Sequence, residues 1–126
     1  MAWKWGKASL DRLATCDKRL QDLADMMLER SPFDLTVTCG YRTKDEQEKA
    51  YKDGKSRAKF GESKHNVFPS KAIDIVPLPI NWDDKDPRWT EMALNAMWCA
   101  GVIGVEITWG GSFKKLRDCP HFELKG

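Results

Sequence analysis

Ser63-Lys64-His65-Asn66-Val67-Phe68-Pro69-Ser70-Lys71-Ala72-Ile73-Asp74-Ile75-Val76-Pro77 is the stretch from which the fold reads most clearly. Its second half, Ala72 to Val76, is apolar with β-branched residues and is closed by Pro77 and Pro79. That pattern predicts a buried strand carrying one carboxylate, Asp74. The polar run before it, Asp53 to Lys64 with Gly54 and Gly61, predicts a surface loop. With Pro69 between them, His65 and Asp74 cannot share a helical face, so the loop must fold back onto the strand to bring them together.

Working outward, Leu10, Leu13, Ala14, Leu20, Leu23, Ala24, Met27 and Leu28 recur largely at three- and four-residue steps. This predicts one amphipathic helix from Leu10 to Glu29, with Ser9 as its N-cap and Ser31-Pro32 as its end. Asp34 to Cys39 alternates, with Leu35 and Val37 on one face, and predicts a short strand leading to Gly40. Thr43 to Lys52 predicts a helix with Thr43 as N-cap and Glu46 as capping-box partner, so Tyr41-Arg42 sits where strand gives way to helix. Pro87 to Ala100 predicts a second long helix stopped by Gly101, with Trp89, Met92, Ala93, Ala96, Met97 and Ala100 as its core stripe. Val102 to Trp109 and His121 to Leu124 predict strands, joined by a Gly110-Gly111 turn and a basic loop. The expected fold is α+β: one domain over residues 1–126, with a small, mainly antiparallel sheet packed against helices.

Composition narrows the function classes. Lys plus Arg is 21 against 19 Asp plus Glu, and the charges are dispersed, so the basic stripe of a nucleic-acid binder is missing. The N-terminus has no apolar segment behind its lysines, and no stretch reaches membrane-spanning length, so a chain without signal peptide or stable membrane association is expected. Cys16, Cys39, Cys99 and Cys119 are widely spaced and form no CxxC pair, which predicts reduced, mostly buried thiols.

Only two histidines occur, His65 and His121, and each has an acidic residue near it in sequence. A hydrolytic zinc site commonly takes three nitrogen or oxygen ligands and leaves a position for water. His65, Asp74 and His121 meet that count, and a further carboxylate beside the metal would be needed to move protons. Strand alternation puts His121 and Glu123 on one face and Phe122 and Leu124 on the other. From the residues alone, two core-satisfied or surface histidines remain the blander alternative.

The run Ser63 to Asp74 resembles the Ser-x-His and Ala-x-Asp signature of the D-Ala-D-Ala-type metallopeptidases, whose fold the hedgehog signalling domain shares. Asp118-Cys119-Pro120-His121-Phe122-Glu123 is similar to the second half of that signature. Asp34 to Thr43, the Gln47 helix, Gly54-Lys55-Ser56, Ile75-Val76-Pro77 and Trp109-Gly110-Gly111 extend the likeness to the phage L-alanyl-D-glutamate peptidase branch over nearly the whole chain. Two departures stand out: the interval from His65 to Asp74 is longer than in the dipeptidases, as is usual in the phage-like branch, and Phe113 stands where a tryptophan often follows the double glycine.

The resemblance implies Zn2+ held by His65, Asp74 and His121, with Asp118 as general base and acid. It implies Arg42 as the guanidinium near the developing oxyanion, and it implies a peptidoglycan stem peptide as substrate. Ser63 would either contact substrate or fix its loop, and Trp109 would form a wall of the cleft. Glu123 would orient His121 or replace Asp118 as base; a Cys119 thiolate ligand is disfavoured by Pro120 and by its softness. The expected protein is a monomeric lysis enzyme without a separate wall-binding domain, held in the host cytoplasm until release to the wall, a Gram-negative one. A D,D- or L,D-carboxypeptidase and a non-catalytic binding module on the same fold are the competing readings.

Overall fold

The computed structural model describes residues 3–113 and 117–126. Helices α1 (Lys7–Leu13) and α2 (Lys18–Arg30) lead into strand β1 (Leu35–Cys39) and helix α3 (Lys44–Lys52). A 3-10 turn, Lys64–Asn66, precedes strand β2 (Ala72–Pro77). Helix α4 (Pro87–Ile103), strand β3 (Ile107–Trp109), a second 3-10 turn at Gly110–Ser112 and strand β4 (His121–Leu124) complete the order. The four strands form one antiparallel sheet in the order β1-β2-β4-β3, which is the α+β arrangement expected.

The core lies between the sheet and the helices. Leu20, Leu23 and Met27 of α2 meet Trp89, Met92 and Ala96 of α4, and Ile73, Ile75 and Phe122 join them from β2 and β4. Burying each large side chain of this kind contributes about 1.5–3 kcal/mol. Central strand β2 pairs Ile73 with Phe122 and Asp74 with His121 across β4, and Asp74 with Cys39 across β1. Because side chains alternate along a strand, the register that puts Ile73 and Phe122 into the core turns Asp74 and His121 to the opposite face.

The helix expected from Leu10 to Glu29 is two helices. Apolar periodicity runs across the break, but Asp17 caps α2 through the Arg19 N–H, and the freed backbone takes other partners. Ser70 N–H donates to the Thr15 carbonyl and Asp17 N–H donates to the Ser70 carbonyl, at 2.8 and 2.9 Å. Gly40 packs so tightly here that a Cβ would stand 2.5 Å from the Arg12 carbonyl oxygen. Ser9, expected as a cap, lies inside α1, where its hydroxyl accepts the Val37 N–H of β1.

The second long helix passes Gly101 and ends at Gly104, whose φ of 74° is the left-handed conformation that glycine adopts at low cost. The strand expected from Val102 is consequently confined to Ile107–Trp109, and Met97 is exposed rather than core. The capping box of Thr43 and Glu46 forms as expected. All four cysteines are free thiols, three buried and Cys39 half-buried. The basic loop expected after Gly111 falls partly on residues 114–116, outside those described. Among the described residues, no helix is long and apolar enough to cross a membrane.

Candidate metal centre

Three segments distant in sequence meet at one point. His65 is delivered by the 3-10 turn Lys64–Asn66, which Ser63 caps by accepting the His65 N–H at 3.1 Å. Asp74 and His121 arrive as cross-strand partners on β2 and β4. His65 Nε2 lies 3.1 Å from Asp74 Oδ1 and 3.2 Å from His121 Nδ1, and His121 Nδ1 lies 3.2 Å from the same Asp74 oxygen. The three atoms thus form a nearly equilateral triangle.

The protein holds the other nitrogen of each ring. His65 Nδ1 donates to the Gly40 carbonyl at 2.7 Å, and His121 Nε2 donates to Glu123 Oε1 at 2.7 Å. Those bonds fix both rings and direct the lone pairs of His65 Nε2 and His121 Nδ1 to the shared point. Burial opposes a charged His65, yet the charge and hydrogen bond of Asp74 outweigh it and lift its pKa to about 10. The same opposition of burial and Asp74, aided by Glu123, lifts His121 to about 9. Burial likewise opposes ionised Asp74, but the two imidazoles hold its carboxyl well below the ordinary range. Two imidazole nitrogens and a carboxylate oxygen converging on one point form a donor set that suits a divalent cation such as zinc. A tetrahedral zinc with bonds of about 2.0–2.1 Å has ligand-to-ligand edges of about 3.3 Å. The triangle matches one face of that tetrahedron to within a few tenths of an ångström.

The family model of the phage L-alanyl-D-glutamate peptidases matches residues 1–124. The chain belongs to this family. The L-alanyl-D-glutamate peptidase of Escherichia phage T5 is 33% identical over 129 residues, which cover 99% of this chain and 91% of that protein. The peptidoglycan L-alanyl-D-glutamate endopeptidase CwlK of Bacillus subtilis (strain 168) is 32% identical over 106 residues, 73% of this chain and 61% of that one. Among solved structures, the L-Ala D-Glu endopeptidase ChiX of Serratia marcescens superposes with a TM-score of 0.81 at 25% identity, over 97% of this chain and 90% of that one.

In this member of the phage L-alanyl-D-glutamate peptidase family the triangle opens into a cleft of about 690 Å³. Asp118 lines it with one oxygen 3.8 Å from His121 Nδ1, beside the triangle but outside hydrogen-bond distance. Burial first, and then the charge of Asp74, raise its carboxyl above the usual range. Arg42 enters from the end of β1, its Nη2 at 3.8 Å from Asp74 Oδ2 and its Nη1 donating to Gln47 Oε1 at 2.9 Å. Glu123, held below the usual carboxylate range chiefly by its hydrogen bond to His121, is the oriented partner of that ring.

Trp109, expected in the cleft, packs against the core, and its indole N–H donates to the Cys119 carbonyl at 2.6 Å. The two glycines after it serve packing. A Cβ on Gly111 would stand 2.1 Å from the Trp109 ring, and one on Gly110 would stand 2.2 Å from the Asp118 carbonyl oxygen. The aromatic surface of the cleft comes instead from Phe113 and Trp82, the latter stacked on Trp89 at 5.9 Å. Trp82 lies in a polar segment between the strand β2 and helix α4, where periodicity carries no signal.

Ser63 lines the cleft and also caps the His65 turn by accepting the His65 N–H. Cys119 is buried in the core, where burial raises its thiol pKa, and it does not reach the triangle. Cys39 does approach, with Sγ 3.7 Å from His65 Nδ1, but that is the ring nitrogen already bonded to Gly40 and not the one at the shared point. Its position opposite Asp74 in the β1–β2 register was the available signal. Gln47 also matters: fully buried on an otherwise polar helix, it accepts from Arg42 and Asn66 and donates to Ser56 and Ala58.

Proposed function

We propose that this chain is a zinc-dependent endopeptidase that hydrolyses the L-alanyl-D-glutamate bond of the peptidoglycan stem peptide, as a phage-type lysis enzyme. The observation that carries this reading is the triangle of His65 Nε2, Asp74 Oδ1 and His121 Nδ1, opening into a cleft, in a member of this family. Zinc bound by these three residues would supply a Lewis acid and an acidified water.

The chain's own groups account for the rest. Asp118, close to the ligands yet free of them, takes the proton of the attacking water and returns it to the leaving amine of the glutamyl residue. A carboxyl whose pKa burial raises above the ordinary range is suited to both directions of that transfer. Arg42, anchored by Gln47, offers its guanidinium to the oxyanion that forms as the amide carbonyl becomes tetrahedral. Glu123 fixes the tautomer of His121, and the Gly40 carbonyl does the same for His65. Phe113 and Trp82 give the peptide an apolar wall.

The test is incubation of purified peptidoglycan with the zinc-loaded protein and identification of new termini by mass spectrometry. New L-alanine carboxyl and D-glutamate amino ends are expected. Release of free D-alanine without them would replace the bond assignment with a carboxypeptidase, and intact peptidoglycan would remove the enzymatic reading.

A further inference from the structure

The cleft carries more positive charge than the reaction described above uses. Arg42, Lys55, Arg57 and Lys64 all line it. Arg42 is engaged by Gln47 and Asp74, and Lys64 pairs with Glu123 at 3.4 Å and donates to the Leu124 carbonyl. Among the described residues, the side chains of Lys55 and Arg57 have no hydrogen-bond or ion-pair partner, although they flank a segment whose backbone is firmly held.

Lys55 N–H and Ser56 N–H both donate to the Ala50 carbonyl, at 2.9 and 3.1 Å, and the Ser56 hydroxyl accepts the Ala58 N–H at 3.1 Å. The buried carboxamide of Gln47 then binds Ser56 Oγ at 3.1 Å and the Ala58 carbonyl at 2.6 Å through its nitrogen, while its oxygen holds Arg42. One amide therefore sets the spacing between Arg42 and the segment that presents Lys55 and Arg57. A buried, fully bonded polar side chain of this kind rigidifies what it joins. Two cations are thus held at the cleft on a braced backbone with their charge unspent.

The chemistry of the substrate supplies a counterpart. A glutamyl residue has two carboxyl groups, and a linear peptide uses one of them in its next amide, so the other, unless amidated, stands as a free carboxylate within a few bonds of the scissile nitrogen. We propose that Lys55 and Arg57 form the carboxylate subsite for the D-glutamyl residue on the leaving-group side of the cleft. The subsite rests on the bond assignment made above and explains how one acidic residue is selected at that position: its charge meets two cations that have no other partner.

The experiment compares two synthetic peptides, one with L-alanyl-D-glutamate bearing the free carboxylate and one with that carboxylate as a primary amide. Zinc-loaded wild type, K55A, R57A, the double variant and R57K are assayed on both, with zinc content and circular dichroism recorded for each. Wild type is expected to favour the free acid by roughly 10–100-fold in kcat/KM, the range of a charge-assisted hydrogen bond. Each alanine variant lowers that ratio, the double variant brings it close to one mainly through KM, and R57K retains most of it. An unchanged ratio in the folded, zinc-loaded double variant, or equal cleavage of both peptides by wild type, would overturn the subsite. Cleavage of neither peptide by wild type would overturn the bond assignment and the subsite with it.

Discussion

Each histidine of the site divides its ring between the protein and the shared point, and that division explains the role of the neighbouring residues. Glu123 receives the Nε2 proton of His121, so E123Q should keep the fold but weaken zinc binding by about 10–100-fold in a competitive chelator titration. Asp118 stands 3.8 Å from the same ring and contributes no ligand atom to the triangle. D118N is accordingly expected to bind zinc fully and to lose about 10²–10⁴ in kcat, measured on the free-acid peptide. Normal turnover in D118N would transfer the base role to Glu123. The candidate ligands stood out through the scarcity of histidine, but only the resemblance of Ser63 to Asp74 and of Asp118 to Glu123 marked them as a set. Trp109 was misplaced since an aromatic before two glycines reads equally well as cleft wall or as packing, and only the position of Gly111 against its ring separates the two.

At the scale of elements, three of the four strands and the start of α3 were legible, while the break between α1 and α2, the end of α4 and the start of β3 were not. In the apolar run Ala72–Pro77 the lone Asp74, paired with His121 of β4, fixes which side chains face the core, and a slip of one residue would bury Asp74 among apolar groups. The break after α1 has no such signature, because apolar spacing continues through it while Thr15, Asp17 and Ser70 exchange hydrogen bonds that depend on the tertiary fold. Asp17 gives this break a pH dependence. Its side-chain hydrogen bond to Arg19, offset partly by burial, holds the folded carboxyl below its ordinary value. The stabilisation is therefore present above the unfolded value of about 3.9 and is lost as pH falls through the lower folded one. D17N, which keeps a cap acceptor without charge, should be less stable at pH 7 by under about 1 kcal/mol, since solvent screens the pair. Urea unfolding should show that gap closing as pH falls below about 4; a constant gap would refute the assignment. The turn at Gly110 is tested by G110A, whose methyl would collide with the Asp118 carbonyl and His121 Cβ. It should cost about 1–3 kcal/mol and lower kcat/KM by displacing the Asp118 loop.

For the whole molecule, the candidate ligands come from a 3-10 turn and two strands, the second strand reached only after helix α4 and strand β3, so a cation at the triangle would pin three segments at once. Binding to the folded state alone stabilises it by about 2.7 kcal/mol at a hundredfold excess over Kd. Chelation should therefore lower Tm by roughly 10 °C and abolish hydrolysis, and added zinc should restore both. The helices α2 and α4 build the core from the opposite side of the sheet, so loss of metal should loosen the cleft without unfolding the domain. The α+β class and the antiparallel sheet follow from local patterning, whereas the cleft itself is assembled from polar loops. Trp82, Lys55 and Arg57 have neither periodicity nor scarcity to mark them, and Gln47 is buried only because four loop partners converge on it.

The identity and position of the metal are read most directly from an anomalous difference map of zinc-loaded crystals collected across the zinc edge. One strong peak is expected at about 2.0–2.2 Å from His65 Nε2, His121 Nδ1 and an Asp74 carboxylate oxygen, with Asp118 outside bonding distance. A peak bonded to Cys39 or Asp118, or no peak at the triangle in protein that cleaves peptidoglycan, would contradict this placement of the metal.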